Sequence, residues 1–201
     1  MIKIENINKI WICSDPHYNH KNLCRGVSNW SDKSKTRDFR NLEEMNNSLI
    51  SNINNSVKSE DILFCLGDWS FGGKEQILKF RESINCQSIH LILGNHDKHI
   101  ELYKNLFKSI NNYLEIEIDN IKFVLSHYPM ASWNGLNKGW IHLFGHCHLS
   151  KNLKIREGKS MDVGFDGSDN FSPYNLSEVV RLLSNQPISG ITIPKNIDHH
   201  Q

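Results

Sequence analysis

With 201 residues, 38% of them hydrophobic and 22% charged, the chain has the composition of one soluble globular domain spanning 1–201, and no apolar stretch approaches the roughly 18 residues of a membrane span. A formal net charge of +1 argues against a protein that grips long nucleic acid by its backbone, and leaves short nucleic acid and single nucleotides open as partners. The N-terminus MIKIENINKI lacks the apolar core of a secretory signal, and the five cysteines (Cys13, Cys24, Cys65, Cys86, Cys147) form no CxxC pair, so reduced thiols and a cytoplasmic location are expected.

In chain order, the first apolar run is KIWIC (Lys9–Cys13), whose length and β-branched and aromatic content favour a buried strand. It opens onto SDPHYNH (Ser14–His20). In an extended segment Asp15 and His17 project to the same side, where they could share an ion or equally form a hydrogen-bonded turn. A helix is predicted over Leu42–Ser56, because Leu42, Met45, Leu49 and Ile53 recur at helical spacing and Asn41 with Glu44 resembles a capping box. The second strand, DILFCL (Asp61–Leu66), ends in Gly67 and Asp68, and Ile77, Leu78 and Phe80 mark a second helix after Gly73. The third strand, SIHLIL (Ser88–Leu93), runs into GNHD (Gly94–Asp97), with a third helix predicted over Ile100–Phe107. IKFVLS (Ile121–Ser126) is followed by His127, and WIHLF (Trp140–Phe144) by GHCH (Gly145–His148). NLSEVVRLL, with Asn175 and Glu178 placed as cap and third residue, predicts the last helix. Strands alternating with helices predict an α/β core with largely parallel strands.

Each of the five predicted strands therefore ends in metal-capable residues. In open α/β sheets ligands bind at the carboxyl ends of the strands, so these segments should converge in space. Gly67, Gly94 and Gly145 precede the polar residues, as expected where the backbone turns sharply or lets a ligand come close.

The ordered set D-x-H, GD, GNHD, H and GHxH, running from Asp15 to His148, resembles the calcineurin-like metallophosphoesterase family, and the flanking HKN and HYPMASWNG are similar to its small bacterial and phage members. The resemblance implies a four-layer α/β-β/α sandwich, two mixed β-sheets face to face with helices outside. It also implies hydrolysis of phosphate esters by a metal-activated hydroxide at a two-metal site. Within that site it makes Asp68 the bridge, assigns Asp15, His17 and His148 to one ion, and assigns Asn95, His127 and His146 to the other. His96 is implied as the acid beside the leaving group, with Asp97 holding its ring. Imidazole and oxygen donors without thiolate suit two divalent ions, Mn²⁺ first, with Fe, Zn²⁺ or Ni²⁺ as alternatives. Cys147, between two proposed ligands, is expected to face away from them.

Around this set, His20 could meet a phosphate oxygen or anchor its loop, and Arg25 could supply a bidentate phosphate contact. Arg37 reads as a solvated surface residue. Trp69, Phe71, Trp133 and Trp140 lie beside the motifs and could form a stacking wall for a base or pack as core. His90, His99 and His142, and Asp162 and Asp166 of MDVGFDG, read as structural, and His199 and His200 as part of a polar tail. GDWSFGG lacks the arginine-bearing extension of the family's protein phosphatases, and every ligand position is filled, unlike in scaffold members such as a retromer subunit. The expected substrate is a small phosphate ester, a nucleotide-type phosphodiester before a phosphomonoester or a nucleotide pyrophosphate linkage.

Overall fold

Alternation along the apolar runs sorts them into two sheets packed face to face in a computed structural model that describes residues 2–156 and 158–188; His199 and His200 lie outside the described residues. The first sheet has the order β11 (Tyr174–Asn175), β2 (Ile10–Cys13), β3 (Ile62–Cys65), β4 (Ser88–Ile92), β5 (Ser109–Asn111). The second has β1 (Ile2–Ile4), β6 (Tyr113–Ile118), β7 (Ile121–Ser126), β8 (Ile141–Phe144), β10 (Ser160–Asp162), β9 (Ile155–Arg156). From β2 to β5 the pairing is parallel, and β11 is antiparallel to β2. In the second sheet β7, β8 and β10 run parallel, but β6 meets β7 and β9 meets β10 antiparallel. Both sheets are mixed, so the expectation of largely parallel strands holds best in the first.

Ile10, Ile12, Phe64, Leu66 and Ile92 point inward from the first sheet and meet Ile116, Phe123, Leu125, Ile141 and Leu143 of the second. The intervening residues Cys13, Leu63, Cys65, Ile89 and Leu91 face the other way, onto Leu49 and Ile53 of α1 (Leu42–Ser56) and Ile77 and Phe80 of α2 (Lys74–Ser83). Outside the second sheet, Met130, Trp133, Leu136 and Trp140 of the 128–140 segment cover Val124 as the fourth layer. Leu176, Val179 and Leu183 of α3 (Leu176–Leu183) join the core between the sheets. Among the described residues no helix is long and apolar enough to cross a membrane.

The predicted caps form in part. The Asn41 side chain accepts from Glu44 N at 2.9 Å, while the Glu44 carboxylate turns to Arg40 instead of closing the box on Asn41. Asn175 caps α3 by accepting from Ser177 N. The third predicted helix is instead a run of 3₁₀ turns, Ile100–Leu106, kinked at Tyr103. Its core contacts explain the change: Ile100, Tyr103 and Leu106 repeat every third residue, which matches a 3₁₀ turn, and His99 gives no side-chain cap.

Candidate metal centre

The β2–β3 ladder carries on past the strands into the motif loops. Asp15 N donates to Gly67 O, His17 N to Asp68 O and Tyr18 N to Trp69 O, so the first two motifs lie side by side. The backbone turns sharply there. Asp15, His17, Asp68, His146 and His148 all have φ between 47° and 68°, in the left-handed region, at a cost of roughly 1 kcal/mol or more each. Asp and His tolerate this region better than most residues, yet five such positions in one place are strain concentrated at a site. Glycine is needed where the motifs touch. A Cβ on Gly94 would collide with Asp68, and one on Gly145 with Ser14 and Asp15.

Backbone amides fix one oxygen of each central aspartate and leave the other free. His146 N donates to Asp15 Oδ2 at 2.8 Å, and His96 N to Asp68 Oδ1 at 2.9 Å. The remaining oxygens face the imidazoles of the motifs, and Asp68 also lines the cleft. Asp15 Oδ1 lies 3.7 Å from His17 Nε2 and 3.7 Å from His148 Nε2, and these two nitrogens are 3.2 Å apart. Asp68 Oδ2 lies 3.4 Å from that same His17 Nε2 and 3.6 Å from His127 Nε2. His127 Nε2 in turn is 3.1 Å from Asn95 Oδ1, which is 3.0 Å from His146 Nδ1. All seven expected ligand residues thus come together: Asp15 is common to the donor groups Asp15–His17–His148 and Asp15–Asp68–His127, while Asp68 Oδ2 also approaches His17 of the first.

The donor set fits divalent cations. Asp15 is wholly buried, yet its Oδ1 has no hydrogen-bond partner, a costly state for a carboxylate unless a cation meets it. Donor atoms 3 to 4 Å apart are spaced as ligands that each sit about 2.0–2.2 Å from a shared ion. Cys147 lines the cleft but belongs to neither ligand group among the described residues, so the donors are nitrogen and oxygen. Asp15 is held below the usual carboxylate range: burial opposes this, but the imidazole of His17, 3.7 Å away, with those of His148 and His127, outweighs it. Burial pushes the His17 imidazole down, toward the neutral form that binds metal.

Behind His148 stand Asp166, read from the sequence as a structural residue flanking the site, and Arg37, read as a surface residue. His148 Nδ1 faces Asp166 Oδ2 at 2.7 Å, which fixes its proton on that side and presents the Nε2 lone pair to the centre. Asp166 takes both Nε and Nη2 of Arg37 at 3.0 and 2.9 Å. Arg37 is only 6% exposed, not a solvated surface residue, and it also donates to Asp15 O and Pro16 O at 2.7 and 2.8 Å. MDVGFDG reads as a strand and turn flanking the site, and its strand-then-glycine punctuation, like that of the other motifs, could have given Asp166 a part in the centre; Arg37, 129 residues away from it, gave no signal. Replacing Asp166 by Asn should leave the fold intact and weaken metal binding by about 10- to 100-fold in a competitive chelator titration. Wild-type affinity in that variant would remove Asp166 from the account.

Other expected residues divide. His96 lines the cleft, 39% exposed, with Nε2 4.0 Å from Asp68 Oδ2. Asp97 does not hold its ring: the carboxylate accepts from Asp68 N, Trp69 N and Gly94 N at 2.8–2.9 Å, which staples the second and third motif loops together. Burial pushes Asp97 up to about 6 in spite of those three donors. His20 is in the cleft wall, stacked on Phe71 at 4.1 Å, and burial pushes its pKa down to about 4, so it is neutral. Arg25 does not line the cleft: it bonds Asp38 and Thr36 instead. Trp69, 1% exposed, is packed on Phe80, and Trp133, 8% exposed, lies in the outer layer, so neither offers a face to a base. Both indoles follow their neighbours into the core. His142, bonded to Met130 N and Val124 O, and His90, against Ser109, are structural. The cleft gains Trp30 and Lys35, which sequence reasoning passed over because the 28–36 loop carries no motif.

Two facing mixed sheets with acidic, amide and imidazole donors gathered at the ends of their strands form a candidate site for divalent cations. The sequence model of the calcineurin-like phosphoesterase family matches residues 8–183, and the chain belongs to that family. It is 34% identical over 184 residues to an uncharacterized protein of Methanocaldococcus jannaschii, covering 89% of this chain and 93% of that one. A protein of unknown function from Aquifex aeolicus has a similar fold, with a TM-score of 0.64 and 23% identity over 86% of this chain and 98% of that chain. The chain is therefore a phosphoesterase by family.

Proposed function

We propose that this phosphoesterase cleaves phosphodiesters, nucleotide-type esters first, at a centre of two divalent ions held by Asp15, His17, Asp68 and His148 on one side and Asp68, Asn95, His127 and His146 on the other. The observation that carries the reading is Asp68 Oδ2, within 3.6 Å of donors from both groups. When bound, such ions would neutralise phosphoryl charge and make a water nucleophilic near neutral pH; the nitrogen and oxygen donors suit Mn²⁺, Fe, Zn²⁺ or Ni²⁺, of which Mn²⁺ is proposed. The chain's own residues do the rest. His146 N and His96 N hold the two aspartates in register, Asp97 ties the loops that carry Asp68 and Gly94, and Asp166 sets the His148 tautomer. His96, which lines the cleft 4.0 Å from Asp68 Oδ2, is proposed as the group that hands a proton to the departing alkoxide.

Charge supports a diester. Among the described residues Lys35 is the one Lys or Arg lining the cleft, where a monoester dianion would gain from several cations and a singly charged diester needs fewer. The free thiols, four of them buried, are in keeping with a reducing, cytoplasmic compartment. At saturating Mn²⁺, kcat/KM for bis-nitrophenyl phosphate should exceed that for nitrophenyl phosphate; a clear advantage for monoesters would overturn the diester assignment. His96→Ala should lower cleavage of alkyl-leaving diesters by about 10²- to 10⁴-fold and spare nitrophenyl esters far more, with metal content unchanged. Equal losses on both would argue against the acid role.

A further inference from the structure

Trp11 and Trp69 pack with the helix-side core, and Trp133 and Trp140 with the outer layer, whereas Trp30 joins none of the apolar clusters. It is 38% exposed and lines the same cleft as His17, Asp68 and His96. A single exposed aromatic is ordinary on a protein surface, so its setting decides the matter. The loop that presents it is fastened at both ends. Trp30 N donates to Ser28 Oγ and Asn29 N to Asn22 Oδ1, while Arg25 bonds Thr36 and Asp38, and Thr36 Oγ1 donates to Lys33 O. These bonds fix the backbone of the loop, and the indole lines the cleft that the metal-ligating residues share. Its neighbour His20, 6.0 Å away and edge-on, continues the aromatic wall to Phe71. Lys35 rises from the same loop into the cleft and has no ion-pair partner among the described residues. At about 690 Å³ the cleft has room for a nucleotide beyond the phosphate that the metal ligands would receive.

Resting on the phosphodiesterase reading, we infer that Trp30 and Lys35 form a nucleoside subsite. The unpaired base of the ester stacks on the Trp30 indole, and Lys35 meets the next phosphate of a dinucleotide or short single strand. Stacking of this kind accepts any base, because every base has a π-face, and it requires the base to be out of a duplex. The single cation and the net charge of +1 match a short strand, whose few phosphates need few partners.

The test uses two diesters with the same leaving group, the nitrophenyl esters of thymidine 5′-phosphate and of methyl phosphate. The wild type should favour the thymidine ester, and Trp30→Ala should shrink the ratio of the two kcat/KM values by roughly 10- to 100-fold, with Trp30→Phe keeping most of it. Lys35→Ala should reduce the preference for thymidine dinucleotides bearing a second phosphate over those without one by several-fold. No preference in the wild type, or a ratio unmoved in Trp30→Ala, overturns the subsite. Failure of the diesterase reading looks different: neither nitrophenyl diester is cleaved by the Mn²⁺-loaded wild type. Tryptophan fluorescence then judges the subsite alone. Quenching by thymidine 5′-monophosphate that disappears in Trp30→Phe supports it, and absence of quenching in the wild type overturns it.

Discussion

Asp68→Ala should abolish hydrolysis, by at least about 10³-fold in kcat/KM on a nitrophenyl diester, and should strip bound metal from the protein at the same time. The size follows from position. Asp68 Oδ2 lies 3.4 Å from His17 Nε2 and 3.6 Å from His127 Nε2, so with two ions bound as proposed its loss would remove a ligand from each and negative charge from both. Asp68→Asn separates charge from shape. It keeps an oxygen for the His96 amide, 2.9 Å from Oδ1, yet it cannot neutralise two cations, and its activity should stay near that of the Ala variant. Activity close to wild type in either variant would mean that catalysis does not pass through this carboxylate.

Arg37→Ala should cost about 3–5 kcal/mol of stability, because it leaves Asp166 charged and largely enclosed with one imidazole as its partner. For a chain of this size that is a fall in Tm of roughly 6–20 °C. It also frees the carbonyls of Asp15 and Pro16, which Arg37 holds, so metal affinity should fall with stability. Arg37→Lys should recover only part, since an ammonium cannot span Asp166 with two parallel bonds. Calorimetry of the metal-free protein decides it, and a Tm shift under about 2 °C would show that the buried pair adds nothing. The pH dependence has a definite sign. Although burial works to raise it, Arg37 and His148 hold Asp166 well below the usual carboxylate range, so its stabilisation is present above a pH of about 3.9 and lost as the pH falls below that.

The centre was legible because metal binding restricts residue types more than packing does. Asp, Asn and His placed after five successive apolar runs have few structural reasons to recur there, and strand ends on one side of a sheet meet in space. The helices α1 and α3 were legible from their caps, Asn41 and Asn175, and α2 from its apolar residues alone. What stayed hidden depends on long-range contacts. Nothing local in IKFVLS or WIHLF says that β7 and β8 belong to a different sheet from β2, β3 and β4, and two- or three-residue pieces such as β9, β10 and β11 are too short to show a period. Trp69 follows a ligand directly, but the left-handed turn at Asp68 leaves its ring packed on Phe80, away from the cleft. Asp97 was given to the His96 ring by analogy, whereas three unpaired backbone amides nearer to it claim the carboxylate.

The central claim is that one carboxylate joins two ions, and electron paramagnetic resonance of the chelated protein titrated with Mn²⁺ tests it most directly. The account predicts two equivalents bound per chain and an exchange-coupled spectrum that is lost in Asp68→Ala. Saturation at one equivalent, or two with spectra of isolated Mn²⁺ that Asp68→Ala leaves unchanged, would contradict it.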